Sequence, residues 1–228
     1  MDGMHVHGAV SSSPTWTATD AAAWIGAAAS FLVMWVVMTA VMMLPSMAPT
    51  FWRYRRALAR AAETRASGLT ALAGLAYLVV WTALGVIVCV IGVAVTAASV
   101  RMPGLSRAAP FAVGVIVLVA GCIQLTRWKA RHLAMLRMAP APIHRVQADA
   151  GVAWRYGVRL GRDCGLSCAG LMSSLLVLGA MDVRAMAVAT VVIFVERLAP
   201  AGERVARVIG LGALVVGEVL IARGAGLR

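Results

Sequence analysis

Apolar residues in this chain come in long runs and not in alternation. Residues 24–44, 69–100, 108–126, 152–181, 185–199 and 208–222 are dominated by Ala, Val, Leu, Ile, Met and Gly, and arginines concentrate between them. Runs of 15 to 32 such residues are of the length that crosses the roughly 30 Å hydrocarbon core of a bilayer when wound as helices. The pattern predicts an all-α integral membrane protein, a bundle of about six transmembrane helices, with five as the fallback. These form one membrane domain, residues 24–228, behind a mobile polar tail, residues 1–23. Pro45 and Pro49 are expected to close the first helix, because proline removes a backbone donor and clashes with the preceding turn. The run 69–100 exceeds what a span needs, so its helix is tilted or projects. Pro140 and Pro142 break the long basic connection at 127–163, and the weakest span is 185–199, which is short and carries Glu196.

Charge fixes an orientation. If the loops after spans one, three and five lie inside, they hold sixteen of the 21 Lys and Arg residues, leaving five outside. Such a bias places basic loops in the cytoplasm, so both termini are expected to face outward, in a bacterial cytoplasmic (inner) membrane. The first run lacks a basic n-region and reads as a retained helix.

Composition agrees: 61% of residues are hydrophobic and 13% charged. The net charge of +12 is not a nucleic-acid signature, because the arginines sit between apolar runs and make no continuous basic face. The expected partner is the lipid bilayer, with no nucleic acid. No nucleophile triad, phosphate-binding glycine loop or haem-type histidine pair is present, which points away from an enzyme.

The densest chemistry lies in WRYGVRLGRDCGLSCAGLM, residues 154–172. On a helix at about 100° per residue, Arg155, Arg159 and Arg162 share one face. Gly157, Gly161, Cys164, Gly165, Cys168 and Met172 share another. The Gly157–Gly161–Gly165 series lets a second helix approach closely, in this chain or in another membrane subunit. Cys164 and Cys168 are one turn apart and could converge on one metal, or could simply pack as small apolar residues. Met34, Met38 and Met42 stack along the first span, with Met43 and Met47 near its inner end. Thioethers select soft Cu(I), but methionine is also an ordinary filler of helix interfaces. The inner ends of spans one, three and four bring Met42, Met43 and Met47, then His132 and Met135, then Cys164 and Cys168, to one membrane face. Met4, His5 and His7 could make a weak copper-capture tail or be incidental. Glu196, next to Arg197, reads as an interfacial ion pair. Glu218, nearer mid-span, needs a partner or carries protons.

In order along the chain stand Met42-Met43-Leu44-Pro45-Ser46 with Pro49, Gln124-Leu125-Thr126 with Lys129, and Cys164-x-x-x-Cys168 with Leu171-Met172. Gly179-x-Met181-Asp182 and Glu196-Arg197 with Pro200 follow. This set resembles a bacterial family of predicted metal-binding integral membrane proteins carried under a domain-of-unknown-function label. The resemblance covers about residues 30–215 and implies a multi-span bacterial membrane protein that binds metal. Members commonly read Cys-x-Gly-Cys-Cys-Trp before Leu-Met, and here Ser167 and Ala169 replace a cysteine and the tryptophan. A second cysteine pair is represented by His132 and Leu136, so the thiol set is reduced.

The expected function is the binding of a soft transition metal, Cu(I) foremost, for handling or homeostasis. Cys164 and Cys168 would be the principal ligands, with Met42, Met47, Met172 and His132 as contributors. Two alternatives stand beside it. One is a structural or assembly subunit whose cysteines merely pack. The other is a membrane thiol redox protein, against which disulfide geometry argues, since thiols one helical turn apart rarely meet it.

Overall fold

The computed structural model describes residues 18–60, 63–137, 149–179, 182–199 and 201–225. The described residues are almost wholly helical, in seven α-helices. These are α1 (Ala18–Ala59), α2 (Ala66–Arg101), α3 (Pro103–Gln124), α4 (Arg127–Arg137), α5 (Ala150–Gly179), α6 (Val183–Leu198) and α7 (Gly202–Gly224). A single 3-10 turn, Glu63–Arg65, leads into α2.

The helices arise where the apolar runs predict them, with three differences. First, α1 runs straight through Pro45 and Pro49 and ends only at Ala59, so the prolines do not close the first helix. A proline inside a helix deprives the carbonyl four residues back of its donor. Here those are the Val41 and Pro45 carbonyls, and Val41, Pro45 and Pro49 all lie on the exposed side of the helix. α1 also begins at Ala18, inside the segment expected to be polar tail. Second, the basic connection after α3 contains a helix of its own. α4 is bent 65° from α3 and starts at Thr126, whose Oγ1 accepts from the Lys129 backbone N–H at 3.3 Å, the usual N-cap arrangement. Third, three helices are long and apolar enough to cross a membrane: Ala23–Ala59, Ala66–Arg101 and Gly202–Gly224. The bent pair α3–α4 makes a fourth if counted as one broken span. α5 has Arg155, Arg159, Arg162 and Asp163 in its first half, and α6 has only 16 residues, which is why the simple apolar-length argument stops short of six.

Packing is helix against helix. α3 lies along α7, and α5 is held between α2 and α3, with α1 against α2 and α6. The Gly157–Gly161–Gly165 face of α5 is covered by α2 of the same chain. A Cβ on Gly157 would fall 2.1 Å from the Ala73 carbonyl oxygen, and those on Gly161 and Gly165 would come within 2.9 Å of Val80 and Leu84. The outer faces remain apolar, with Val33, Val37 and Val41 on α1 and Ile87, Val90 and Ile91 on α2 exposed, as expected of helices solvated by lipid. Arg155, Arg159 and Arg162 are exposed. Glu218 is exposed on α7.

Candidate metal centre

Where α1, α2, α5 and α6 meet, the interior is sulfur-rich. Cys164 and Cys168 are buried, at 0% and 2% exposure, and belong to one contiguous cluster with Met42, Met43, Met47 and Met172. The cause is local. Cys164, Cys168 and Met172 follow one another at four-residue spacing, so they form a single stripe on α5. That stripe continues the glycine face that brings α2 in so close. On α1, Met42, Met43 and Met47 lie beside the two proline turns and face inward.

Polar groups from α2, α5 and α6 converge on the two sulfurs, and α1 holds the cation among them. Arg197, from α6, is itself buried. Its Nη2 donates to Cys168 Sγ at 2.9 Å and to Cys164 Sγ at 3.0 Å, while Nη1 donates to Ser46 Oγ at 2.8 Å. The Tyr77 hydroxyl of α2 lies 3.0 Å from Cys164 Sγ. Ser167 Oγ donates to the Cys164 carbonyl at 2.9 Å and lies 3.7 Å from Cys168 Sγ.

Behind this layer is a second one. Lys129 of α4, 1% exposed, pairs with Glu196 Oε2 at 2.8 Å and also donates to the Ser167 carbonyl. Gln124 of α3 donates to Glu196 Oε1. Glu196 is therefore not an interfacial residue paired with its neighbour Arg197. Consecutive residues on a helix are about 100° apart, so Glu196 turns toward α3 and α4 while Arg197 turns toward α1 and α5. Buried charges persist only when paired and hydrogen-bonded. Lys129 and Glu196 satisfy each other, and Arg197 instead spends its donors on two sulfurs and a hydroxyl.

The residues singled out from the sequence divide as follows. Cys164, Cys168, Met42, Met47 and Met172 are brought together. His132 lies outside that cluster, on α4, with Nδ1 3.4 Å from Asp163 Oδ1 and its ring edge-on to Trp128 at 4.7 Å. Met135 is exposed. Met34 and Met38 are half-buried and, with Met42 and Met186, line an apolar groove between α1 and α6. Met4, His5 and His7 lie outside the described residues. What sequence reasoning missed were Arg197 as a partner of the thiols, Tyr77, and the Lys129–Glu196–Gln124 network. A signal for most of it was present: Ser46, Gln124, Lys129, Glu196 and Arg197 all stand in the short motifs that carried the family resemblance.

A family model described as a copper chaperone (PpoB2) matches residues 32–220, nearly the whole chain. The chain belongs to this family. It is a bacterial one concerned with metal, as the motifs implied; the match carries the copper chaperone description and does not confirm the domain-of-unknown-function label. No curated protein and no solved structure matches the chain. The match of 32–220 runs from the first half of α1 into α7 and so contains every residue of the sulfur cluster.

Copper as cargo suits the donors present. Thiol and thioether sulfurs are soft ligands that prefer Cu(I) to hard cations. Among the described residues no group of three or more His, Cys, Asp and Glu side chains is placed to hold a metal. A structural zinc site wants four nitrogen or sulfur donors. Cu(I) accepts fewer, and the same buried cluster holds four methionines whose thioethers are soft donors.

Proposed function

We propose that this protein is a membrane-embedded Cu(I) carrier whose Cys164 and Cys168 sulfurs are the principal copper ligands. Met42, Met47 or Met172 completes the shell, and His132 is a contributor only if α4 shifts toward α5. The carrying observation is the pair of buried thiols one helical turn apart, inside a cluster with four methionines, in a copper chaperone family chain. Thiolate and thioether are the donors that a protein handing on Cu(I) uses against hard competitors.

The carrier crosses the bacterial inner membrane six times with both termini outward. Supporting this are the arginine distribution and the packing of α5 between α2 and α3, which shelters a span more polar than the others. The copper pocket then opens toward the cytoplasmic side, beside Arg53 in the last turns of α1.

Elemental analysis of detergent-purified protein loaded with Cu(I) under reducing conditions tests the function. About one copper per chain is expected for the wild type, and background for the C164S/C168S variant. Equal copper in both proteins would discard the assignment.

A further inference from the structure

The two sulfurs already share a cation. Arg197 Nη2 sits 2.9 Å from one and 3.0 Å from the other, and a guanidinium is a permanent positive charge. A metal bonded to both sulfurs competes for the sulfur lone pairs that now accept from Nη2, and its charge stands beside the guanidinium at a buried site, where like charges repel strongly.

The structure also provides somewhere for the guanidinium to go. Next to it is a cavity of about 460 Å³, lined by Arg197 itself with Ser46, Met47, Thr50 and Leu136, and with Trp52 and the cation Arg53 at its exposed, solvated rim. Nη1 already donates to Ser46 in that wall, so the side chain can pivot about this contact without losing every partner. Lys129 and Glu196 are tied to each other, to Gln124 and to the α5 backbone. They hold α6 in register while its arginine swings.

We propose that Arg197 is the resident cation of the metal-free site, and that copper enters by exchange, displacing Nη2 from the sulfurs into the Ser46–Met47 cavity. The inference rests on the copper-carrier reading above. In the exchange two Cu–S bonds form, any proton held by a sulfur leaves to buffer base, no electron moves, and the guanidinium keeps its proton and charge. Arg197 acts as a positioning residue: it keeps the thiols paired and occupied while the carrier is empty, and its return helps release the cargo.

Labelling with an arginine-selective dicarbonyl reagent reads the exchange directly. Full-length wild-type protein in detergent is treated with and without bound Cu(I), and the peptide containing Arg197 is quantified by mass spectrometry. Modification of Arg197 should rise about tenfold on loading, while Arg159, exposed throughout, stays constant as the internal standard. Copper bound at full stoichiometry with Arg197 still protected would overturn the exchange and leave the carrier intact. Failure of the wild type to hold copper would overturn both. In a second arm, Arg197→Lys retains the charge but cannot span both sulfurs and Ser46, so Cu(I) uptake should be about tenfold faster in stopped-flow mixing. Wild-type kinetics in that variant would also count against the exchange.

Discussion

Two helix contacts in this molecule solve the problem of close packing in opposite ways. Along α3 and α7 the contact is made by glycine. A Cβ on Gly121 would fall 2.9 Å from the Gly210 carbonyl oxygen, one on Gly217 2.8 Å from the Leu118 nitrogen, and one on Gly114 2.7 Å from the Ile221 nitrogen. Small residues at seven-residue spacing let two backbones touch, and in lipid such van der Waals contact supplies much of the association. Around Cys164 and Cys168 the space between helices is instead filled with thiols, thioethers, two buried cations and a carboxylate. Neutral hydrogen bonds between membrane helices are worth little more than in water, and buried ion pairs are at best weak evidence for stability. The glycine contact is explained by packing alone. The polar layer is costly as mere packing, and the proposed copper site accounts for that imbalance.

Substitutions that separate the two regions sharpen this contrast. The largest effect is expected for Glu196→Ala, which leaves Lys129 buried without its carboxylate. Loss of one partner of a buried pair costs about 3–5 kcal/mol, read as a fall in unfolding midpoint in detergent. Lys129→Met in the same chain should recover part of it, and no recovery would mean that the pair is not what holds α4 to α6. Next is Gly121→Leu, where overpacking costs about 1–3 kcal/mol. Stability should fall while any protein that folds still binds copper at wild-type stoichiometry; selective loss of copper would break the division between the regions. Tyr77→Phe removes one hydroxyl beside Cys164 and should cost about 1 kcal/mol, with a small change in Cu(I) affinity measured by chelator competition. Arg159→Gln, on the exposed face of α5, should change stability by less than about 0.5 kcal/mol. A larger loss would show that this face is buried against something.

How much of this could be read beforehand differs between the fold and the site. Helix positions followed from apolar runs, because runs of that length are too long for ordinary strands and meet their own backbone hydrogen bonds as helices. The end of α1 did not, since the proline rule is local, whereas the placing of Pro45 and Pro49 on the exposed side of α1 emerges only with the packed helices. α4 was hidden because eleven residues with Arg127, Lys129, Arg131 and Arg137 resemble a loop when counted by hydropathy. The burial of Lys129 emerges only when α5 and α6 are in place. Cys164, Cys168 and Met172 were legible as one stripe, because helical spacing determines which side chains share a face. Arg197 was not, as adjacency to Glu196 in sequence suggested a pair where helical geometry sends the two residues to different neighbours.

Copper K-edge absorption spectroscopy on the Cu(I)-loaded, detergent-purified protein tests the central claim most directly. The account predicts a first coordination shell made of sulfur alone, which disappears with the bound metal in the C164S/C168S variant. A shell of nitrogen or oxygen donors that persists in that variant would contradict it.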